Sequence, residues 1–184
     1  GNAHKWLCAP KGAAFLHVRS DLRASVHPTS ISHGFTPGAG PGRFRAEFDW
    51  TGTADPTPYL VVPEAIAFVG SLVPGGWPAV LERNRELALG ARAVLLEALG
   101  ADEPAPAAMI GSIASVLLPA PAAGSPADRL AHGELANWFR ERSVEAWLYP
   151  WPGPGGKLLR VSAQLYNELG EYARLAELAR EALG

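Results

Sequence analysis

The sequence predicts a mixed α/β chain whose C-terminal part is an α+β unit built on an antiparallel sheet, and three observations lead there. Trp77 to Leu99 places Trp77, Val80, Leu81, Leu87, Ala88, Ala91, Val94, Leu95 and Leu99 on one helical face, with Glu82, Arg83, Arg85, Glu86 and Arg92 elsewhere. Beyond it, strand-length apolar runs alternate with helix-length amphipathic ones. Two of these runs, 144–149 and 157–164, flank a stretch of three prolines and three glycines at 150–156, which reads as a hairpin-like antiparallel pair. Pro74-Gly75-Gly76 breaks the pattern before the long helix.

Taken in order, residues 13–19 are apolar and bounded by Gly12 and Ser20-Asp21, the pattern of a short buried strand. His17 lies within it and reads as a core or edge histidine. Residues 24–42 are rich in Pro, Gly, Ser and His. His27 and His33 read as loop residues, because no third ligand stands at a metal spacing. Pro37 to Gly42 is glycine-rich but lacks the Lys-Ser/Thr ending of a phosphate loop, so a surface loop is expected. Phe44 to Trp50 alternates apolar and charged residues, which suggests a half-buried strand. Pro63 to Leu72 is a short apolar helix with proline near its N-terminus, and Gly100 ends the long helix. Ala108 to Leu118 is an apolar strand with Gly111 as a bulge or close-contact point. Ser125-Pro126 is an N-cap followed by proline, opening one helix that carries Leu130, Leu135, Trp138 and Phe139 inward and ends near Arg142. Residues 168–183 form the last helix, with Leu169, Tyr172, Leu175, Ala176 and Leu183 buried.

Composition narrows the function. The 184 residues carry a net charge of -2 with scattered arginines, which argues against nucleic acid as a partner. No apolar run approaches membrane-spanning length, and no charged-then-apolar leader is recognisable. The single cysteine, Cys8, excludes an internal disulfide and fits a reducing compartment, so the cytoplasm is expected. No metal centre is expected.

Three short stretches carry chemistry. The first is His4-Lys5-Trp6, followed by Pro10-Lys11-Gly12. A lysine amine becomes nucleophilic when it is desolvated or set beside other cations. Trp6 and Leu7 can exclude water, and His4 can add charge or bond a phosphate. The same tripeptide also fits a surface lysine with its stem on a ring. The second is Trp50-Thr51-Gly52-Thr53-Ala54-Asp55, in which a glycine permits close backbone approach and a threonine hydroxyl can donate to an anion. These residues fit equally a turn in which Asp55 or Thr57 caps the next helix. The third is Arg160-Val161-Ser162-Ala163-Gln164-Leu165-Tyr166-Asn167. An arginine fork matches a carboxylate bidentately, and an arginine on an exposed strand face is the competing reading.

Together, in this order, the three stretches resemble the class V aminotransferases, and within them the isopenicillin N epimerase-like branch. The resemblance covers nearly the whole chain. It implies the α/β type I fold of enzymes that use pyridoxal 5'-phosphate (PLP), in which a long helix links the large domain to the small one, so that 1–76 would end the large domain and 77–184 would form the small C-terminal domain. It implies that Lys5 is the Schiff-base lysine and shuttles the substrate α-proton, and that His4 lies at the cofactor. It further implies a homodimer in which Gly52 and Thr53 meet the cofactor phosphate of the other subunit, and that Arg160 binds the carboxylate of an amino-acid-like substrate. In the resembled family the lysine lies past the middle of the chain, so a longer enzyme is expected. The acidic partner of the pyridine nitrogen and the ring-stacking aromatic would precede Lys5. Transamination, epimerisation and elimination all remain open on this fold. Cysteine desulfurases of the superfamily use a small-domain cysteine, whereas Cys8 is three residues after Lys5. A persulfide route is therefore not expected, and a carbon–sulfur lyase without such a thiol stays open, as does a module that folds but makes no product.

Overall fold

A computed structural model describes residues 1–36, 42–50, 52–153 and 155–184. The chain divides into two compact units, Gly1–Leu72 and Val73–Gly184. Positions 37–41 belong to the surface loop expected at Pro37 to Gly42, and Thr51 and position 154 to two other expected turns. These positions lie outside the described residues.

Among the described residues the first unit holds 3-10 turns at Ser20–Ser25 and His33–Phe35 and three short helices, α1 (Arg43–Asp49), α2 (Thr57–Leu60) and α3 (Val62–Ser71). Two sequence expectations fail here. Residues 13–19 are not a buried strand. One bridge pairs Asn2 with Ala14, and from Ala14 to His17 the side chains are exposed. An apolar run becomes a strand only while a neighbour takes its backbone hydrogen bonds, and here the ladder stops at Phe15, whose N–H donates to Gly1 at 2.9 Å. Phe44 to Trp50 is helix rather than strand. Phe-Arg-Ala-Glu-Phe also satisfies a four-residue spacing, which stacks Phe44 on Phe48 at 4.7 Å and pairs Arg43 with Glu47. Gly34 seats the 33–35 turn on α1, since a Cβ there would lie 1.9 Å from the Ala46 carbonyl oxygen.

The second unit opens with α4 (Gly76–Leu99), which ends on Gly100 at φ +59°. Val80, Ala88, Ala91 and Leu95 are buried, but Leu81 is 56% exposed. Arg92, expected on the polar face, is 3% exposed. The segment 103–105 covers that side of the helix, and Arg92 donates to the Ala105 carbonyl at 2.6 Å and to Glu103 at 3.3 Å. The first strand, β1 (Ile113–Leu117), is shorter than expected. Residues 107–110 are held by Arg85, which donates to the carbonyls of Ile110 and Ala107, and Gly111 bends the chain before β1 instead of bulging it.

The single helix expected after Ser125 is two, α5 (Pro126–Arg129) and α6 (His132–Arg140). Leu130 and Ala131 are extended between them. Glu134 draws the chain into a second start by accepting the Ala131 N–H at 2.9 Å. The remaining elements are β2 (Trp147–Pro150), β3 (Lys157–Ser162) and α7 (Leu169–Leu183). β3 is the central strand of an antiparallel sheet ordered β1-β3-β2. Ala114, Val116, Leu148, Leu159 and Val161 form its inner face. They pack with Leu95 of α4, Leu135 and Phe139 of α6, and Leu178 of α7. Helices α4 and α7 lie against each other and contribute Ala88, Ala91, Ala176, Ala179 and Ala182 to this core. Leu169, expected to be buried, is 47% exposed at the start of α7 and reaches α4 at Gly90. Among the described residues no single helix is long and apolar enough to cross a membrane, and no cluster of His, Cys, Asp and Glu could hold a metal ion.

Candidate functional site

Lys5 sits on a turn fixed by small side chains. Ala3, Ala9 and Ala13 are buried together against Leu7, Val62 and Ala65. Alanines let the backbone close up, and Ala3 N–H donates to Ala13 while Ala9 N–H donates to Ala3, at 3.0 and 3.1 Å. Cys8 adopts φ +54° and Gly12 φ +99° to complete the loop. This geometry partly buries His4 and exposes Lys5. The Nδ1 of His4 is buried without a hydrogen-bond partner. The Lys5 amine has no hydrogen bond or ion pair among the described residues, and Trp6 and Leu7 are only half-buried.

Gly52 and Thr53 form an exposed bend, with Gly52 at φ +132° and open space where a Cβ would stand. Asp55 accepts hydrogen bonds from the Thr57 N–H at 2.9 Å and the Thr57 hydroxyl at 2.6 Å. Those bonds hold its carboxyl below the ordinary range. No hydrogen bond joins Gly52 or Thr53 to His4 or Lys5 among the described residues.

Arg160 belongs to the second unit. Burial of Leu159, Val161 and Ala163 turns it onto the outer face of the sheet. It stands between Ser115 of β1 and Trp147 of β2. Its guanidinium lies 5.2 Å from the Tyr149 ring centroid, and its Nε is buried without a partner. A cavity of about 840 Å³ opens beside it, lined also by Trp147, Ser162, Tyr166 and Asn167.

The turn that carries Tyr166 and Asn167 is locked by amides. Gln164 N–H donates to Asn167 Oδ1 at 3.1 Å, Asn167 N–H returns to the Gln164 carbonyl, and Leu165 N–H donates to Gln164 Oε1. Tyr172 donates its hydroxyl to the Ser162 carbonyl at 2.8 Å. Burial first, then the negative charges of Glu171 and Tyr166, push its pKa up to about 12. Sequence reasoning missed Trp147 as a neighbour of Arg160. The signal was present, because a hairpin closing at Pro150 and Lys157 places 147 opposite 160.

A second polar cluster also escaped it. Glu47, 1% exposed, accepts from His27 Nδ1 at 2.8 Å and from Arg43 Nε. His27 first, and Arg43 second, hold its carboxyl below the ordinary range. Ser32 Oγ, buried without a partner, lines a cavity of about 290 Å³ with His27, Phe35 and Glu47. Twenty residues separate His27 from Glu47, and the mistaken strand over 44–50 hid the spacing that joins them.

No family model matches the chain. Among curated proteins it is 37% identical to isopenicillin N epimerase of Amycolatopsis lactamdurans, over 98% of this chain and 46% of that protein. It is 35% identical to isopenicillin N epimerase of Streptomyces clavuligerus, over 96% of this chain and 45% of that protein. It is 30% identical to putative L-cysteine desulfhydrase 1 of Oryza sativa subsp. japonica, over 96% of this chain and 38% of that protein. The chain is therefore homologous, over nearly all its length, to part of these proteins, a partial class V aminotransferase-like match. It spans less than half the length of the curated relatives it matches.

Proposed function

We propose that the chain forms part of a PLP-dependent enzyme of aminotransferase or epimerase type, acting on an amino acid or an amino-acid derivative. The observation that carries this reading is the pairing of two features on one turn: a lysine amine with no partner among the described residues, and beside it a histidine with a buried Nδ1 that has none among them either. A buried donor or acceptor left unmade costs about 1–3 kcal/mol, so a polar group bound at His4 relieves that cost. The residues thus fit the cofactor.

Lys5 Nζ would hold PLP covalently and, once released, take and return the proton at the substrate α-carbon. His4 would orient the cofactor through Nδ1. Bound PLP supplies an electron sink for the bond broken at that carbon. Gly52 leaves room for a phosphate and Thr53 offers it a hydroxyl, in a homodimer where each chain completes the other's site. Arg160 anchors the substrate carboxylate. We place the enzyme in the cytoplasm.

The 30% identity to an L-cysteine desulfhydrase supports a second reading, carbon–sulfur bond cleavage at the same lysine. This reading needs no persulfide route: Cys8, the one cysteine of the 184 residues, stands three residues after Lys5. Borohydride reduction of the PLP-loaded full-length protein, followed by peptide mapping, tests the lysine that both readings share. The pyridoxyl label is expected on Lys5; label confined to Lys11 or Lys157, or none at all, rejects both in favour of a module that makes no product.

A further inference from the structure

We propose that Trp147 is the specificity wall of the Arg160 anion site, and that this site takes a carboxylate carrying an apolar or aromatic chain. The inference rests on the reading of Arg160 as the carboxylate anchor. It concerns what lies beyond the carboxylate.

On the outer sheet face, residues directly opposed in an antiparallel pair hold their side chains about 4.5–5.5 Å apart at Cβ. Trp147 and Arg160 are such a pair. Tyr149, one step diagonal, already stacks on the guanidinium. The indole of Trp147 has no ring or cation partner among the described residues and is 49% exposed, although it lines the same cavity as Arg160. The cavity, at about 840 Å³, is far larger than a carboxylate needs. It falls within the range of about 300–1,000 Å³ typical of small-molecule pockets.

A carboxylate paired along the guanidinium edge that includes the unpartnered Nε leaves its next carbon beside the opposed side chain. That side chain is an indole. A carbon chain or ring laid on it removes apolar surface from water on both partners. An anionic chain would gain nothing from the electron-rich indole face. Tyr166 and Asn167 also line the cavity, on a turn held by Gln164.

The test compares acetate with 3-phenylpropionate as probes on the full 184-residue chain, following arginine Nε–H resonances by NMR. Because Trp147 lies outside the core, Trp147→Ala is expected to fold. In the unsubstituted chain, 3-phenylpropionate is expected to bind at least about tenfold more tightly than acetate. Trp147→Ala should bring the two affinities together while leaving acetate binding within about twofold, and Trp147→Phe should keep most of the preference. Acetate binding as tightly as 3-phenylpropionate, or a preference that survives Trp147→Ala, overturns the role given to Trp147 and leaves the anchor standing. Carboxylate binding that is absent, or that is unchanged in Arg160→Ala, overturns the anchor itself and with it the functional reading.

Discussion

Asn84 of α4 donates its side-chain amide to Gln164 Oε1 at 2.9 Å, across 80 residues of sequence, and both side chains are buried. This bond ties the turn after β3 to the long helix. Asn84 Oδ1 itself has no partner. The pair is therefore an expensive way to fill an interface that alanines and leucines fill elsewhere in the same unit. What it supplies is a fixed position for Gln164, and through Gln164 for Leu165 and Asn167.

Removing the donor tests that role. Asn84→Ala leaves one acceptor site of Gln164 unmet and opens a small void, so the second unit is expected to lose about 1–3 kcal/mol in denaturant unfolding. Asn84→Leu fills the space with no polar atom and should recover most of that stability. If the turn depends on Asn84, amide exchange at Leu165 and Asn167 will stay fast in Asn84→Leu even though stability returns.

Glu47 makes the first unit sensitive to acid. Its folded pKa is depressed, so its contribution to stability is present above the ordinary carboxylate range and is lost as pH falls through the depressed value. Glu47→Gln lacks that titration. Thermal melts at a series of pH values should show the difference between the two proteins shrinking on acidification. A difference that stays constant into the acid range would remove the charge from the account of this cluster.

Tyr172 behaves in the opposite direction. Its pKa is raised to about 12, so between the ordinary tyrosine value and that point the folded chain keeps a proton that the unfolded chain releases. Stability should fall as pH rises through this window. Absorbance titration of the phenolate should show a late step near 12, and Tyr172→Phe should delete it.

Thr53→Ala tests the proposed phosphate contact. Loss of one hydrogen bond to a charged group amounts to roughly 1.5–3 kcal/mol, so the apparent PLP dissociation constant should rise by about tenfold or more while the melting temperature is unchanged. Equal retention of PLP by both proteins would take Thr53 out of the site.

Much of the second unit was legible because its signals are local. Gly100 stops α4, Ser125-Pro126 starts a helix, and alternation along β3 turns Arg160 away from Leu159 and Val161. The misses share a physical cause. Phe44-Arg45-Ala46-Glu47-Phe48 satisfies two periods at once, and only partners distant in sequence, His27 and the Gly34 turn, distinguish them. Residues 13–17 are apolar enough for a strand, but pairing beyond Asn2 is not written in their own order. Arg92 reads as a surface charge until segment 103–105 folds across it. In the candidate site, the residue types at 4, 5 and 160 were readable. The unpartnered atoms of His4 and Arg160 were not, because they follow from packing.

The alanines between α4 and α7 set a limit on how this unit can vary. Helices α4 and α7 lie against each other, and their buried Ala88, Ala91, Ala176 and Ala179 keep the side chains they add to the shared core small, which holds the axes close. A methyl group added at any of these positions has no rotamer into which it can swing aside, so it is absorbed by moving a whole helix, and with α7 moves the turn at Tyr166 and Asn167. A library randomised at these four positions should come back depleted of everything larger than serine. The same positions make the interface a ruler, with one spacing built into it.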